Sequence, residues 1–250
     1  MDTMIPRKKR LWLFDLDNTL HDASAEIFPQ ISRNMNGWIA AHCGQEGKAL
    51  SEAEADTLRQ SFWRRYGATL LGISQKRDRR ARQFLEAAHQ FRDLPAMIHA
   101  EKGLRRFFQR LPGRKVLLTN SAGDYACRVL SILGLVPFFE RIVSIETMRL
   151  SGRYTPKPSR RFFQHLPVLL KTRPSQCILI EDDMQSLKTA KITGMKTVLV
   201  TNGMASGEVL EELLPLIAEE PSPEAEKLMD AFWPGPMTLI LPKADCIPTE

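Results

Sequence analysis

The chain has 250 residues, 43% of them hydrophobic, which is enough for one large domain or for a domain with a substantial insertion. Its formal charge of +6 is modest, and its basic clusters, residues 6–10 and 76–82, lack the interleaved aromatic residues of a nucleic-acid stacking surface. Four scattered cysteines with no C-x-x-C pair argue against a zinc site or a disulfide framework. With no signal-like or membrane-length apolar run, we predict a cytoplasmic protein without nucleic-acid or membrane partners.

Short runs of branched apolar residues predict five buried strands. They are residues 11–14, 115–119, 141–145, 177–181 and 197–201. Helical spacing predicts helices between the later runs, at residues 125–133, 160–170 and 184–193. Gly134 and Gly194 stand where a helix ends in a left-handed residue. Alternating strands and helices predict an α/β fold with a parallel sheet covered on both faces.

Residues 22–99 break this alternation, because they contain helical patterns and no convincing strand. "SEAE" at 51–54 is a capping-box signature, and the apolar stripe behind it stops at Gly67. We therefore predict a helical insertion between the first two strands. Three of its aromatic residues could stack on a base, but their helical spacing favours a place in the core: Trp38, Trp63 and Tyr66.

The carboxyl ends of parallel strands are where ligands bind in such folds, and polar residues cluster there. Just past the apolar runs lie Asp15 and Asp17 after the first, Thr119 and Asn120 after the second, and Glu181, Asp182 and Asp183 after the fourth. Lys157 lies in the loop beyond the third run.

Carboxylates from adjacent strands repel each other by roughly 4 kcal/mol at about 4 Å and an effective dielectric near 20, unless a cation intervenes. Oxygen ligands select a hard cation, and Mg²⁺ bound by carboxylates, water and a substrate phosphate is the usual case. The ion would let Asp15 attack an anionic phosphoryl group. Asp17 would protonate the leaving oxygen and later take a proton from water. Thr119 and Lys157 would bind the phosphoryl oxygens.

Each of these signals has a simpler interpretation on its own. A lone D-x-D is usually a turn or a helix cap, and "EDD" at 181–183 could equally open the following helix. The site interpretation is favoured because the signals lie at separate predicted strand ends, in an order that lets them meet.

Four segments, taken in order, resemble the motifs of the haloacid dehalogenase superfamily of phosphohydrolases: "FDLDNTL", "LLTN", "KPS" and "IEDDMQSLKTAKITGMKTV". The resemblance implies a Rossmann-like core with about five parallel strands, at residues 1–21 and 100–203. It also implies a helical C1-type cap at 22–99 and a C-terminal extension at 204–250. The implied site roles are Asp15 as nucleophile, Asp17 as acid/base, Thr119, Asn120 and Lys157 as phosphate-binding residues, Asp15, Asp182 and the Asp17 carbonyl as Mg²⁺ ligands, and Glu181 and Asp183 as supporting residues.

Asp17 favours phosphoryl transfer over dehalogenation, because the dehalogenases of the superfamily lack an aspartate there. Sequence around the first motif and "YGATLLG" at 66–72 resembles the pyrimidine 5′-nucleotidase-like branch, although His21 stands where many relatives have tyrosine and Ser186 where asparagine is usual. The expected activity is Mg²⁺-dependent hydrolysis of a small phosphorylated metabolite, such as a pyrimidine nucleoside 5′-monophosphate, through an aspartyl phosphate. The alternatives are a receiver-like phosphoacceptor and a non-catalytic binding protein. The sequence leaves the oligomeric state open.

The C-terminal tail departs from the rest of the pattern. Residues 206–218 favour a helix, and "FWPGPMTLILPK" predicts an apolar turn and strand. Residues 225–243 are similar to a segment of threonylcarbamoyl-AMP synthases, but the match is too short for a nucleotide site. We interpret the tail as a fusion remnant or altered gene end without its own activity; a chance apolar strand is the alternative.

Overall fold

The computed structural model describes residues 10–44, 48–74, 78–100 and 103–200, together with one short strand near the C-terminus. One sheet has six strands: β1 (Leu11–Phe14), β2 (Arg114–Leu118), β3 (Arg141–Val143), β6 (Cys177–Glu181), β7 (Lys196–Val200) and β8 (Met237–Thr238). Their order is β3-β2-β1-β6-β7-β8; the first five are parallel, and β8 pairs antiparallel with β7. A separate hairpin joins β4 (Arg149–Leu150) and β5 (Arg153–Tyr154).

Strand β1 lies at the centre of the sheet because all four of its side chains are apolar and buried. Leu11 and Leu13 pack into the hydrophobic cluster on one face, whereas Trp12 and Phe14 pack into the cluster on the other. This alternation is expected of a strand with both faces covered. The predicted α/β fold with a doubly covered parallel sheet is confirmed.

Eight α-helices accompany the sheet in the described residues. They are α1 (Ile27–His42), α2 (Glu52–Tyr66), α3 (Thr69–Ser74), α4 (Asp78–Ala88), α5 (Leu104–Arg110), α6 (Gly123–Ile132), α7 (Arg160–Leu169) and α8 (Met184–Ile192). The helices predicted between the later strands are present as α6, α7 and α8. Gly134 and Gly194 have φ of +67° and +91°, which is the left-handed conformation predicted for them. None of the helices in these ranges is both long and apolar enough to cross a membrane.

The described part of residues 22–99 contains α1 to α4 and no strand, as the helical pattern predicts. The Ser51 hydroxyl accepts a hydrogen bond from the Glu54 amide at 3.3 Å, and the Glu54 carboxylate accepts one from the Ser51 amide at 2.8 Å, which confirms the capping box. Trp38 is buried, but Trp63 is 62% exposed. The expectation that Trp63 belongs to the core is therefore wrong, because α2 buries little of its surface.

Two further differences concern strand ends and the tail. Strand β2 ends at Leu118, one residue before the predicted end, and β3 ends at Val143, two residues before it. The helix predicted at 206–218 lies outside the described residues. Within the apolar tail segment, Met237 and Thr238 form a strand, as predicted, and pair with the edge strand β7.

Candidate active site

The central strands β1 and β6 deliver three carboxylates to one edge of the sheet. Asp15 follows β1 directly, and its amide continues the ladder by donating to the Ile180 carbonyl at 2.9 Å. Glu181 is the last residue of β6, and Asp182 follows it. One oxygen atom of each of Asp15, Glu181 and Asp182 lies within 4.8 Å of the others. We call these three residues the carboxylate cluster.

Lys157 is the cation of this cluster. Its ammonium group donates to Asp15 Oδ1 at 2.7 Å and also to Glu181 Oε2, and its side chain is 4% exposed. Burial lowers the pKa of Lys157, but the charges of Asp15 and Glu181 oppose burial and leave that pKa above its ordinary value. The lysine is therefore charged at neutral pH.

One ammonium group does not balance three carboxylates. Burial is the largest cause that raises the pKa of Asp15, Lys157 opposes it, and the net result is a pKa of about 6. Burial also raises the pKa of Glu181 well above its ordinary range, and raises that of Asp182. Hard oxygen donors grouped within this distance and short of positive charge fit a divalent cation such as Mg²⁺.

The Asp17 carboxylate has a different set of partners, which we call the donor set: His21, Ser121 and Tyr125. The Ser121 hydroxyl donates to Oδ2 at 2.5 Å, the Tyr125 hydroxyl donates to Oδ1 at 2.7 Å, and His21 Nε2 lies 3.1 Å from Oδ1. Burial raises the pKa of Asp17, but the interactions with His21, Ser121 and Tyr125 outweigh burial and leave that pKa below its ordinary value.

The turn after the first motif leads from this site into the helical insertion. Asn18 has a φ of +61°, and its side-chain oxygen accepts hydrogen bonds from the amides of Ala23 and Ser24 at 3.0 and 3.1 Å. The Asp22 amide donates to the His99 carbonyl at 2.7 Å. The two chain segments that connect the sheet with α1–α4 therefore lie side by side, next to the site.

The remaining predicted site residues take different positions. Thr119 is buried just past β2; its hydroxyl oxygen accepts from the Ser121 amide at 3.0 Å and can still donate its own hydrogen. Asn120 clamps the backbone of Lys157, accepting from its amide at 3.0 Å and donating to its carbonyl at 2.9 Å. Asp183 is exposed and caps α8, so the capping interpretation of "EDD" holds for this residue. The functional roles of all these residues stay predictions.

Two residues of the donor set, Ser121 and Tyr125, were not predicted as site residues from the sequence. Ser121 directly follows the "TN" pair and precedes the N-cap of α6, and Tyr125 lies in the first turn of that helix. Spacing alone does not show which group they face. Ser186, where relatives usually have asparagine, donates to the Asp183 carboxylate at 2.7 Å and so supports the cap of α8.

A parallel α/β sheet brings acidic residues and a buried lysine to its carboxyl edge, which is where ligands bind in this class of fold. Residues 12–200 match the model of the haloacid dehalogenase-like hydrolases. The chain belongs to this family, and the resemblance seen in its four motifs is confirmed.

Comparisons with individual proteins agree with the family. Phosphate metabolism protein 8 of Saccharomyces cerevisiae is 22% identical over 201 residues, which cover 76% of this chain and 61% of that protein. The chain thus spans less than two thirds of the length of this relative. The crystal structure of a predicted phosphatase from Clostridium acetobutylicum shares the fold, with a TM-score of 0.51, 18% identity and coverage of 82% of this chain and 90% of that one.

A short similarity to a second kind of protein is also present. Threonylcarbamoyl-AMP synthase of Pyrococcus abyssi is 51% identical over 37 residues, which are 15% of this chain and 11% of that protein. The resemblance to such synthases is therefore minor and partial.

Proposed function

We propose that the protein is a Mg²⁺-dependent phosphomonoesterase that works through an aspartyl phosphate on Asp15. The observation that carries the proposal is the grouping of Asp15, Glu181 and Asp182 at the carboxyl edge of a hydrolase-family sheet, where Lys157 pairs with the first two of them. Asp15 and Asp182, together with the backbone carbonyl of Asp17, would hold the cation. The bound ion would supply positive charge against the phosphoryl oxygens.

In the first half of the reaction, a carboxylate oxygen of Asp15 forms a bond to phosphorus while the bond from phosphorus to the leaving oxygen breaks. Asp17 gives its proton to that leaving oxygen. Lys157 holds Asp15 in place through the 2.7 Å hydrogen bond and adds positive charge beside the transferring group. Thr119 would donate its hydroxyl hydrogen to a phosphoryl oxygen.

In the second half, water attacks phosphorus, Asp17 accepts the proton of the water, and the bond to Asp15 breaks to release phosphate. The donor set favours an ionised Asp17, which is the form this half requires. The first half requires a protonated carboxyl. An approaching phosphate dianion raises the pKa of Asp17, because a like charge nearby disfavours the ionised form.

We propose a small phosphorylated metabolite as the substrate, such as a pyrimidine nucleoside 5′-monophosphate, on the basis of the resemblance in the first motif and the insertion. Residues 22–99 would act as the cap over a core formed by 1–21 and 100–203, since their connecting segments lie beside the site. Residues 204–250 would form an extension that the chemistry does not use. The cytoplasmic location and the absence of a nucleic-acid partner stay predictions.

The test is phosphate release from a panel of nucleoside monophosphates, sugar phosphates and other phosphomonoesters, with and without Mg²⁺. We expect turnover that depends on Mg²⁺ and is abolished in Asp15→Asn, whereas Asp93→Asn, at an exposed aspartate of the insertion, keeps it. An Asp15→Asn protein as active as the original would end the proposal. An aspartyl phosphate stable for hours would support the receiver-like alternative, and binding without any phosphorylation would support a binding protein.

A further inference from the structure

We propose that Tyr125 and His21 are positioning residues that aim the Asp17 carboxyl at the leaving oxygen of the substrate. This inference rests on the phosphatase function proposed above and adds two residues to it. Neither residue would touch the reacting atoms; both act through Asp17.

The geometry around one oxygen atom supports this assignment. Asp17 Oδ1 lies 2.7 Å from the Tyr125 hydroxyl and 3.1 Å from His21 Nε2, and these two groups lie 3.4 Å from each other. An ionised carboxylate only accepts hydrogen bonds, so the tyrosine O–H and the histidine Nε2–H both donate to it. Two donors from different parts of the chain fix the direction of a carboxylate better than one.

The hydrogen bonding of His21 argues against a purely structural role. His21 is 4% exposed, and its Nδ1 is buried without a hydrogen-bond partner among the described residues. Leaving a buried polar atom unpaired costs free energy, which an apolar residue of similar size would avoid. Among the described residues, the hydrogen-bond partners of the ring are the Asp17 carboxylate and the Tyr125 hydroxyl, both at Nε2, and they account for a histidine at this position.

The ring of Tyr125 packs against two aromatic residues of the helical insertion. Its side chain is fully buried, and its centroid lies 5.1 Å from that of His89 and 5.5 Å from that of Phe91. Arg128, one helical turn further along α6, donates to the His89 carbonyl at 2.7 Å. This packing fixes the ring, so replacing Tyr125 with phenylalanine removes the hydroxyl while the ring contacts remain.

A positioned proton donor has a signature that packing does not share. An alkoxide is a poor leaving group and needs a proton as it departs, whereas p-nitrophenolate leaves readily without one. Benzyl phosphate and p-nitrophenyl phosphate have similar size and differ in this respect. The ratio of their kcat/KM values reports how well Asp17 is aimed during the first half of the reaction.

The experiment measures kcat/KM for both esters with the Mg²⁺-loaded full chain. We expect Tyr125→Phe to lower the value for benzyl phosphate about tenfold, the size expected for one hydrogen bond to a charged group, and that for p-nitrophenyl phosphate less than about twofold. Asp17→Asn should show the same selectivity to a greater degree. Tyr66→Phe, which removes a hydroxyl from α2, should change neither value.

A second pair of variants separates the donor from the ring at position 21. In His21→Gln the amide can place an N–H donor near the position of Nε2, so we expect most of the activity on benzyl phosphate to remain. His21→Leu lacks a donor and should lose it selectively. Equal losses with both esters, or no loss in Tyr125→Phe and His21→Leu, would overturn the positioning role. If wild type lacks phosphatase activity, or Asp15→Asn keeps it, the proposed function itself has failed.

Discussion

The two aspartates of the first motif, Asp15 and Asp17, lie in surroundings that shift their pKa values in opposite directions. We call these surroundings the Asp15 side and the Asp17 side of the site. Asp15 and Asp17 are both buried, at 6% and 7% exposure. Asp15 shares the single ammonium group of Lys157 with Glu181 and lies close to Asp182, so burial and like charges raise its pKa to about 6. Asp17 accepts from all three members of the donor set, and its pKa is lowered.

This difference shows that burial alone does not decide the charge of a carboxyl. The balance of hydrogen-bond donors and carboxylates around each group decides it. The side that is short of positive charge can take up a cation, and the side that is rich in donors keeps its carboxylate ionised, which is the form that can accept a proton from water.

The largest effect is expected on the Asp15 side, when the positive charge of Lys157 is removed. In Lys157→Met, the buried carboxylates of Asp15 and Glu181 lose their cation, and we expect phosphatase activity to fall by more than about a hundredfold. Without Mg²⁺, the free energy of unfolding should fall by about 3 kcal/mol, the size seen when one partner of a buried ion pair is removed. Lys115→Met is the matched control, because Lys115 is also buried but its ammonium group donates to backbone carbonyls away from the site. Urea unfolding and phosphate release measure both effects; equal results for the two variants would contradict the prediction.

Low pH should weaken the binding of Mg²⁺ to the carboxylate cluster. The pKa values of Asp15, Glu181 and Asp182 are all raised, so as the pH falls through about 6 the cluster binds protons that a cation has to displace. We expect the Kd for Mg²⁺ to rise about tenfold or more between pH 7.5 and pH 5.5. Isothermal titration calorimetry at the two pH values measures it. An unchanged Kd would show that the carboxylates do not bind the ion.

The Asp17 side can be tested by removing one of its hydrogen-bond donors. Ser121→Ala removes the 2.5 Å hydrogen bond to Asp17 and should lower the free energy of unfolding at pH 7 by about 1.5 to 3 kcal/mol. A lowered folded pKa adds stability above the ordinary pKa of an aspartate, and this stability is lost as the pH falls through the folded value. The difference between wild type and Ser121→Ala should therefore shrink at pH 3.

The control for this change lies on α6, the helix that follows Ser121. Ser131 on α6 is exposed, and its hydroxyl donates to the Cys127 carbonyl, so Ser131→Ala should change the free energy of unfolding by less than about 0.5 kcal/mol. Denaturation curves at pH 7 and pH 3 give both values. A Ser121→Ala difference that does not depend on pH would mean that the hydrogen bond does not act on the ionised form of Asp17.

The smallest effect is expected for a deletion in the C-terminal tail, away from both Asp15 and Asp17. Deleting residues 222–250 removes β8 from the edge of the sheet next to β7, but removes no residue of the carboxylate cluster or the donor set. We expect kcat/KM to stay within about twofold and the free energy of unfolding to change little, because the described part of the tail pairs with the sheet through two residues at its edge. A collapse of turnover while the fold is preserved would show that the tail takes part in the site.

Much of the fold could be predicted because its signals are local. Fully buried apolar runs marked β1 and β6 to the residue. The hairpin β4–β5 was missed since its strands have two residues each, too few to show a period. Trp63 was placed in the core wrongly, because helical spacing shows which residues share a face and not which face a neighbour covers.

The strand pattern in the sequence is enough to predict which carboxylates reach the edge of the sheet. Strand runs end at fixed residues, and parallel strands end together, so Asp15, Glu181 and Asp182 had to lie near one another. The hydrogen-bond donors to Asp17 become visible only once the elements are packed together. Ser121 and Tyr125 are 104 and 108 residues away from it, and the packing of α6 against the first motif brings them there. Contacts over such distances depend on how whole elements dock, which no spacing within one segment records.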